Sequence, residues 1–257
     1  MRRNLQGVKG PISKDGKHVQ IVSPPGSGSY YFNYKKTHSI VLMAIANDNY
    51  EFIICDIGTN GRVSDGGVID NTMFMKKLLE NKLDLPTAEP VIHCETLLNY
   101  VFIEDEAFAL RPDFLKSYNQ KELDYEKRIY NYRLSRARRI IENSFGILPK
   151  HFRIFHTTIN LQVDNIDKVV LACCVLDNFL RINCSHTYTS NDVFDVEDTS
   201  NGTITPGLRT GSDNLLNLQN GSNRYHTAEA KEIREQFKIY FNNHGKVNWQ
   251  HAMVSND

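Results

Sequence analysis

Two nearly continuous apolar runs constrain the fold of this chain more than any other feature. They span residues 38–47 (HSIVLMAIAN) and 50–58 (YEFIICDIG), with Asp48 and Asn49 between them. A short polar break between two such runs predicts a β-hairpin. Strands without a polar face must be covered on both sides, so we expect helices on both faces of the sheet.

The rest of the pattern supplies further strands and the helices. Two further apolar runs predict strands: residues 19–24, which follow Asp15, and residues 100–105, which end in Asp105. Helical spacing of apolar residues predicts helices at about 71–81, 135–148 and 165–182. Strands interspersed with helices in this order predict an α/β fold with a mixed central sheet flanked by helices.

Composition divides the chain into three parts. Residues 1–184 hold the apolar pattern and form one predicted domain. Residues 185–223 are rich in Ser, Asn, Thr, Asp and Gly, which predicts a low-complexity, disordered linker. Residues 224–257 follow as a C-terminal helical tail, with a helix expected over 226–243.

Charge and apolar content exclude several classes of protein. The 30 basic and 30 acidic residues balance, so any DNA contact must come from local basic patches. No apolar run approaches the roughly 20 residues of a membrane span, so we expect no membrane partner.

The cysteines are odd in number and irregular in spacing, and no secretory signal precedes them, which predicts reduced thiols. A zinc site at Cys173, Cys174, Cys184 and His186 fits no common spacing, so buried helix cysteines are the better interpretation.

Four acids are candidates for catalysis: Asp15, Asp65, Asp105 and Glu142. Grouped carboxylates raise one another's pKa unless a cation neutralises them, and Mg²⁺ prefers oxygen ligands. Such ions can activate water against a phosphodiester. Other interpretations stay open: Asp15 and Asp65 are typical turn aspartates beside glycine, and Glu142 can pair with Arg138 one helical turn earlier. Asp105 ends an apolar strand, which packing explains poorly.

A family resemblance covers residues 15–180. The blocks that carry it, in family order, are DGKHVQIVSPPGSGSYYFNYKKTHSIVLMAIAN, GTNGRVSDGGVIDNT, DEAFALRPDFLKSY, YNYRLSRARRIIENSFGILPKHFRIF and VVLACCVLDNFL. The later REQFKIYFNNHGKVNWQ is similar to the usual end of such proteins. Together they resemble the DDE-type transposase domain of PIF/Harbinger elements, which includes the Harbinger transposase-derived nucleases.

The resemblance implies an RNase H-like fold with a DD[E/D] centre that uses Mg²⁺ or Mn²⁺. It places the first acid at Asp15 on the first strand, the second at Asp105 after the fourth strand, and the third at Glu142 on a late helix. Asp65 is implied as a further metal ligand, with Asp56 as a lower-rated competitor.

The sequence departs from the family pattern at three positions near these blocks. Glu104 stands where glycine is usual before the second acid, so we expect it to crowd Asp105 with negative charge. Asp177 replaces the histidine of the late LHNFL block. Pro149 replaces a basic or polar residue, and we expect it to end the helix that carries Glu142.

A basic cluster precedes Glu142 and predicts DNA contact, because the guanidinium fork matches phosphate oxygens. A solvated helix face is the other interpretation. The predicted DNA-binding residues are Arg133, Arg136, Arg138 and Arg139.

The sequence therefore predicts a metal-dependent DNA endonuclease located in the nucleus, with the cytoplasm as an additional location. Family members carry a helix-turn-helix region before the catalytic domain, which is missing ahead of Asp15, so we expect a separate Myb-like DNA-binding partner. An oligomer is compatible with the sequence. Two other functions stay open: a catalytically inactive domesticated transposase fragment that binds DNA or protein, and a phosphohydrolase of small phosphoesters.

Overall fold

The computed structural model describes residues 12–62, 72–83, 85–90, 97–106, 108–189, 191–207, 215–218 and 226–254. The strands of these segments are β1 (Ile12–Gln20), β2 (Ser39–Ala46), β3 (Phe52–Asn60), β4 (Glu89–Pro90), β5 (Leu97–Leu98), β6 (Phe102–Ile103), β7 (Phe114–Leu115), β8 (Val196–Asp198), β9 (Thr203–Thr205) and β10 (Leu215–Asn217). The α-helices are α1 (Met73–Leu79), α2 (Tyr125–His151), α3 (Val163–Asn183), α4 (Ser185–Tyr188), α5 (Ala228–Asn242) and α6 (Gln250–Val254).

A mixed sheet forms the centre of the fold, as predicted. Its strand order is β3-β2-β1-β6-β7, and β10 pairs with the remaining part of the β1 edge. The β3-β2-β1 pairs are antiparallel, whereas β1-β6 and β6-β7 are parallel. The predicted α/β class and the RNase H-like architecture, a mixed sheet flanked by helices, are confirmed.

The central strand β2 explains why the sheet is covered on both faces. Every residue of β2 is buried. Leu42 and Ala44 pack into a core with Ile141 of α2 and Val170 of α3. Val41 and Met43 point the other way, into a second core closed by α1 and the loop before β7. The alternation of side chains along β2 therefore supplies both cores.

Strand β1 begins earlier than the sequence predicted. It starts at Ile12, so Asp15 lies within the strand rather than ahead of it. Polar Lys14 and His18 are both buried in it. The polar residues interrupt the apolar pattern, and their burial depends on partners that lie far away in sequence.

Helix α2 is much longer than predicted, and Pro149 does not end it. The helix begins after Asp124, whose carboxylate accepts a hydrogen bond from the Lys127 backbone N–H at 2.8 Å. It continues past Pro149 to His151. His156 Nε2 donates to the Pro149 carbonyl at 2.7 Å, which satisfies one free carbonyl of the last turn.

The region predicted as a disordered linker, 185–223, contains regular structure in its described parts. Strands β8 and β9 form an antiparallel hairpin, and β10 joins the central sheet through β1. Residues 191–207 and 215–218 therefore differ from the composition-based expectation, because β8 and β9 pair with each other and β10 pairs with the edge of β1. The proposed domain boundaries stay predictions.

Helices α5 and α6 pack along α2. Ile233 of α5 shares a core with Tyr130 and Leu134 of α2, and Phe237 and Phe241 pack against it. The predicted C-terminal helix is confirmed at Ala228–Asn242. Among the described helices, none has the length and apolar content that crossing a bilayer requires.

Candidate active site

The parallel pairing of β1 with β6 brings two of the predicted acids side by side. Ile12 pairs with Phe102 and Ser13 with Ile103. Continued by two residues, this register places Lys14 beside Glu104 and Asp15 beside Asp105. Because side chains alternate between the faces of a sheet, Asp15 and Asp105 share one face, and Lys14 and Glu104 share the opposite face.

Glu142 reaches the same face from α2. Arg138 links it to the sheet, since its Nη2 lies 3.0 Å from Glu142 Oε1 and 3.6 Å from Asp105 Oδ1. The i, i+4 ion pair of Arg138 with Glu142, which one interpretation of the sequence predicted, is therefore present. Since the same guanidinium also contacts Asp105, the pair does not exclude Glu142 from the site.

Lys17 connects Asp15 to the same helix. Its Nζ lies 3.2 Å from Asp15 Oδ2 and 5.5 Å from the ring centre of Phe145, which follows Glu142 by one turn. Lys17 Nζ also donates to Asn217 Oδ1 of β10 at 2.5 Å. Each of the three described acids therefore has a cationic side chain next to it.

The three acids are accessible to solvent to different degrees. The exposed side-chain fraction is 13% for Asp15, 31% for Asp105 and 36% for Glu142. These values describe carboxylates that water and a phosphate can reach, rather than the fully buried acids of a packing role.

The remaining predicted ligand, Asp65, lies outside the described residues. Its competitor Asp56 lies on β3, opposite Met43, whose side chain belongs to the other face of the sheet. Asp56 Oδ2 accepts a hydrogen bond from the Met73 backbone N–H at 2.9 Å, at the start of α1. Partial burial raises the pKa of Asp56. Asp56 therefore stabilises a helix start and lies apart from the three acids.

Glu104 does not crowd Asp105, contrary to the expectation from the sequence. Its side chain points to the opposite face and pairs with Lys14, with 2.7 Å between Nζ and Oε2. The Lys14 ammonium lies 3.8 Å from the ring centre of Phe108. Burial raises the pKa of Glu104 and lowers that of Lys14, while the ion pair opposes both shifts.

The donor set fits a hard divalent cation in its chemistry, because carboxylate oxygens are the ligands that Mg²⁺ prefers. In the part of the chain that the structure describes, no three His, Cys, Asp or Glu side chains are grouped closely enough to hold an ion. Arg138 lies between Asp105 and Glu142 and neutralises them. Asp105 and Glu142 can share a cation only after the Arg138 guanidinium moves out from between them.

The four arginines of the predicted DNA-binding set lie in different surroundings. Only Arg138 of the four contacts the acids. Arg133 donates to the Gly245 carbonyl at 2.8 Å, so it holds the segment between α5 and α6. Arg136 and Arg139 pair with Glu197 of β8 at 2.7 and 3.0 Å. DNA contact by this set stays a prediction.

Sequence reasoning missed three residues around the site. Lys17 was detectable, because it follows Asp15 by two positions and therefore shares its face of a strand. Asn217 and Glu197 lie in the predicted linker, where the local sequence gives no signal for them.

Two other predictions concern α3. Cys173 and Cys174 are buried in this helix, as expected, whereas Cys184 at its end is exposed. Asp177, which replaces the family histidine, is fully buried and accepts a hydrogen bond from the Tyr188 hydroxyl at 2.6 Å. Arg181 lies 3.6 Å from its other oxygen. The fold therefore accommodates this departure with two new partners.

Comparisons with known proteins identify the family of the chain. A family model described as DDE superfamily endonuclease matches residues 14–178, well over half of the chain. Protein ALP1-like of Arabidopsis thaliana is 23% identical over 155 residues, which cover 60% of this chain and 38% of that protein. The match thus spans less than two thirds of the relative's length. No solved structure matches the chain. The matched range contains Asp15, Asp105 and Glu142, and the chain belongs to the DDE superfamily endonucleases, of the Harbinger transposase-derived type predicted from its sequence.

Proposed function

We propose that this chain is a metal-dependent DNA endonuclease that hydrolyses phosphodiester bonds at Asp15, Asp105 and Glu142. The observation that carries the proposal is the parallel pairing of β1 with β6, which, continued by two residues, brings Asp15 beside Asp105, together with Arg138, which contacts both Asp105 and Glu142. Asp65 is proposed as a further ligand on the family resemblance alone.

In this proposal the three acids bind a cation, and Arg138 binds the phosphate. When bound, a divalent cation, Mg²⁺ or Mn²⁺, neutralises phosphate charge and lowers the pKa of water. Asp15 would hold it from β1, and Asp105 from the segment that directly follows β6. Glu142 would approach from the helix. Arg138, once released from these acids, has the fork geometry to bind a phosphate oxygen.

The chain's own cations also restrain the acids before substrate binds. Lys17 is fixed between Asp15 and Asn217, so it limits the rotamers of the Asp15 carboxylate. Arg138 does the same for Asp105 and Glu142. A preorganised set of carboxylates loses less conformational entropy when a cation and a phosphate bind.

Plasmid nicking by the purified protein with Mg²⁺ or Mn²⁺ tests the proposal. Asp105→Asn removes one charge from the site and should abolish nicking. Asp164→Asn is the matched control, because it removes the same charge from an exposed position on α3 and should nick like the wild type. Divalent cations should raise the melting temperature of the control more than that of Asp105→Asn.

Other outcomes assign the chain differently. If neither the wild type nor the control nicks DNA, and divalent cations leave the melting temperature of the wild type unchanged, the chain is a catalytically inactive module that binds DNA or protein. Cleavage of small phosphoesters without nicking would indicate a different phosphohydrolase. The Myb-like partner, nuclear localisation and an oligomer stay predictions, which co-purification, imaging and sedimentation can test.

A further inference from the structure

A carboxylate of the chain occupies a basic site on α2. Glu197 of β8 lies with Oε2 2.7 Å from Arg136 Nε and Oε1 3.0 Å from Arg139 Nη2. The Tyr132 hydroxyl donates to Oε1 at 2.8 Å. Two guanidinium groups and a hydroxyl around one anion form the arrangement that proteins use to bind a phosphate group.

This basic site is continuous with the acids. Arg136, Arg139 and Glu142 follow one another at intervals of three residues, so they form an i, i+3 row that turns by about 60° around α2 at each step. A DNA strand with its scissile phosphate at Glu142 and Asp105 would carry its next phosphates along this row. Glu197 therefore lies on the path of the substrate strand.

The hairpin that carries Glu197 exposes much of its apolar surface. We call β8 and β9 with their connecting turn, residues 196–205, the acidic hairpin. Val196 and Ile204 are 57% and 43% exposed, so the hairpin buries little apolar surface. The chain is anchored just before it, where Val193 is fully buried and the Phe194 ring lies 4.5 Å from that of Tyr50. Glu197 attaches the acidic hairpin to α2 through Arg136, Arg139 and Tyr132.

A cavity lies beside Glu197. It has a volume of about 750 Å³, and Arg136, Arg139, Asp195 and Glu197 are among its lining residues. Burial alone would raise the pKa of Glu197, but the hydrogen bonds from Tyr132 and Arg139 outweigh it and lower the pKa. Glu197 therefore remains an anion at neutral pH, so its carboxylate can occupy a site that binds phosphate.

We infer that Arg136, Arg139 and Tyr132 form a binding site for a backbone phosphate of DNA, and that Glu197 occupies it until DNA displaces the acidic hairpin. The inference rests on the proposed function for the identity of the ligand. The inference adds a phosphate-binding site outside the three acids, and it assigns to Glu197 the contact that blocks this site.

Binding of a fluorescein-labelled DNA duplex to the full chain, without divalent cations, tests the inference. Glu197→Gln should bind roughly tenfold tighter, the effect of freeing one charge-assisted contact. The slope of log affinity against log salt should become steeper by about 1. Asp198→Asn is the matched control, because it removes the same charge from an exposed neighbour in the same hairpin. Equal affinities of the two variants would overturn the inference.

A double variant separates a freed phosphate site from a loosened fold. Arg139→Gln should weaken DNA binding in the Glu197→Gln background and change it little when Glu197 is present. Equal losses in both backgrounds would overturn the inference. Because binding is measured without metal, loss of nicking in every protein would leave this result standing while refuting the proposed nuclease. A chain that binds no DNA in any form would refute both.

Discussion

Lys14 and Glu104 form a fully buried ion pair, with 2.7 Å between Nζ and Oε2, directly behind Asp15 and Asp105. Each member of the pair precedes one of the acids in sequence. The pair therefore ties β1 to the segment that directly follows β6, next to the two acids. The ammonium also lies over the rings of Phe108 and Phe114, so it is enclosed by apolar groups.

Removal of one member of this pair should destabilise the chain strongly. Glu104→Gln leaves the Lys14 charge buried without its partner, and such a loss costs about 3–5 kcal/mol of unfolding free energy. Lys14→Met should cost a similar amount. Urea unfolding measures both. The double variant Lys14→Met, Glu104→Leu should recover most of the loss, and a double variant as unstable as the sum of both single ones would contradict this account.

Removal of Arg138 should tighten metal binding and weaken DNA cleavage. A unit charge about 4 Å from a carboxylate contributes about 1 kcal/mol even in water, so Arg138→Gln should bind Mn²⁺ roughly fivefold tighter. Titration calorimetry measures this. Arg128→Gln, which removes the same charge from an exposed position on the same helix, should bind Mn²⁺ like the wild type. Unchanged affinity in Arg138→Gln would show that the guanidinium does not compete with the cation.

His18 should make the chain less stable in mild acid. Burial, followed by the charge of Lys35, lowers the pKa of His18 from 6.5 to about 4. The unfolded chain binds the proton near pH 6.5 and the folded one only near pH 4. The unfolding free energy should therefore fall by about 3 kcal/mol as the pH drops through this window.

The His18→Gln variant tests this pH dependence. Its unfolding free energy, measured in urea at several pH values, should vary less between pH 6.5 and 4 than that of the wild type. The Ser39 hydroxyl at 2.9 Å and the Tyr34 ring face the imidazole, and neither carries a charge in this range. His244→Gln, at an exposed histidine, should retain the wild-type dependence. Identical pH profiles for all three proteins would refute the assignment.

Arg133 should act in stability rather than in DNA binding. Its hydrogen bonds to the Gly245 carbonyl and Gln250 side chain, and its position 4.7 Å from the Phe241 ring, fix the segment between α5 and α6. Arg133→Gln should lower the unfolding free energy by roughly 2 kcal/mol, as for other hydrogen bonds to charged groups. Proteolysis should then cut near residues 243–249. Lower DNA affinity with unchanged stability would instead support the prediction from the sequence.

Local pattern was sufficient where the chain has a clear periodicity. The β2-β3 hairpin, the helix around Glu142 and the C-terminal helix could be predicted, because apolar spacing reflects which face each element buries. Asp105 could be singled out for the same reason, as an acid directly after an apolar strand. The family blocks added Asp15 and Glu142, whose separation of 127 residues carries no local signal.

The sequence by itself predicted the β2-β3 hairpin and the main helices and singled out the candidate acids, whereas the tertiary structure decided which neighbours surround them. Lys14, His18 and Glu104 interrupt the apolar pattern, yet they are buried, because distant partners offset the cost of desolvating them. Residues 191–207 are polar, and residues 215–218 (LLNL) are a short apolar run within a polar region, yet β10 forms on the open edge of β1 and Glu197 binds two arginines of α2. Hydrogen-bond partners and counter-charges come from anywhere in the chain, so only the folded molecule brings them together.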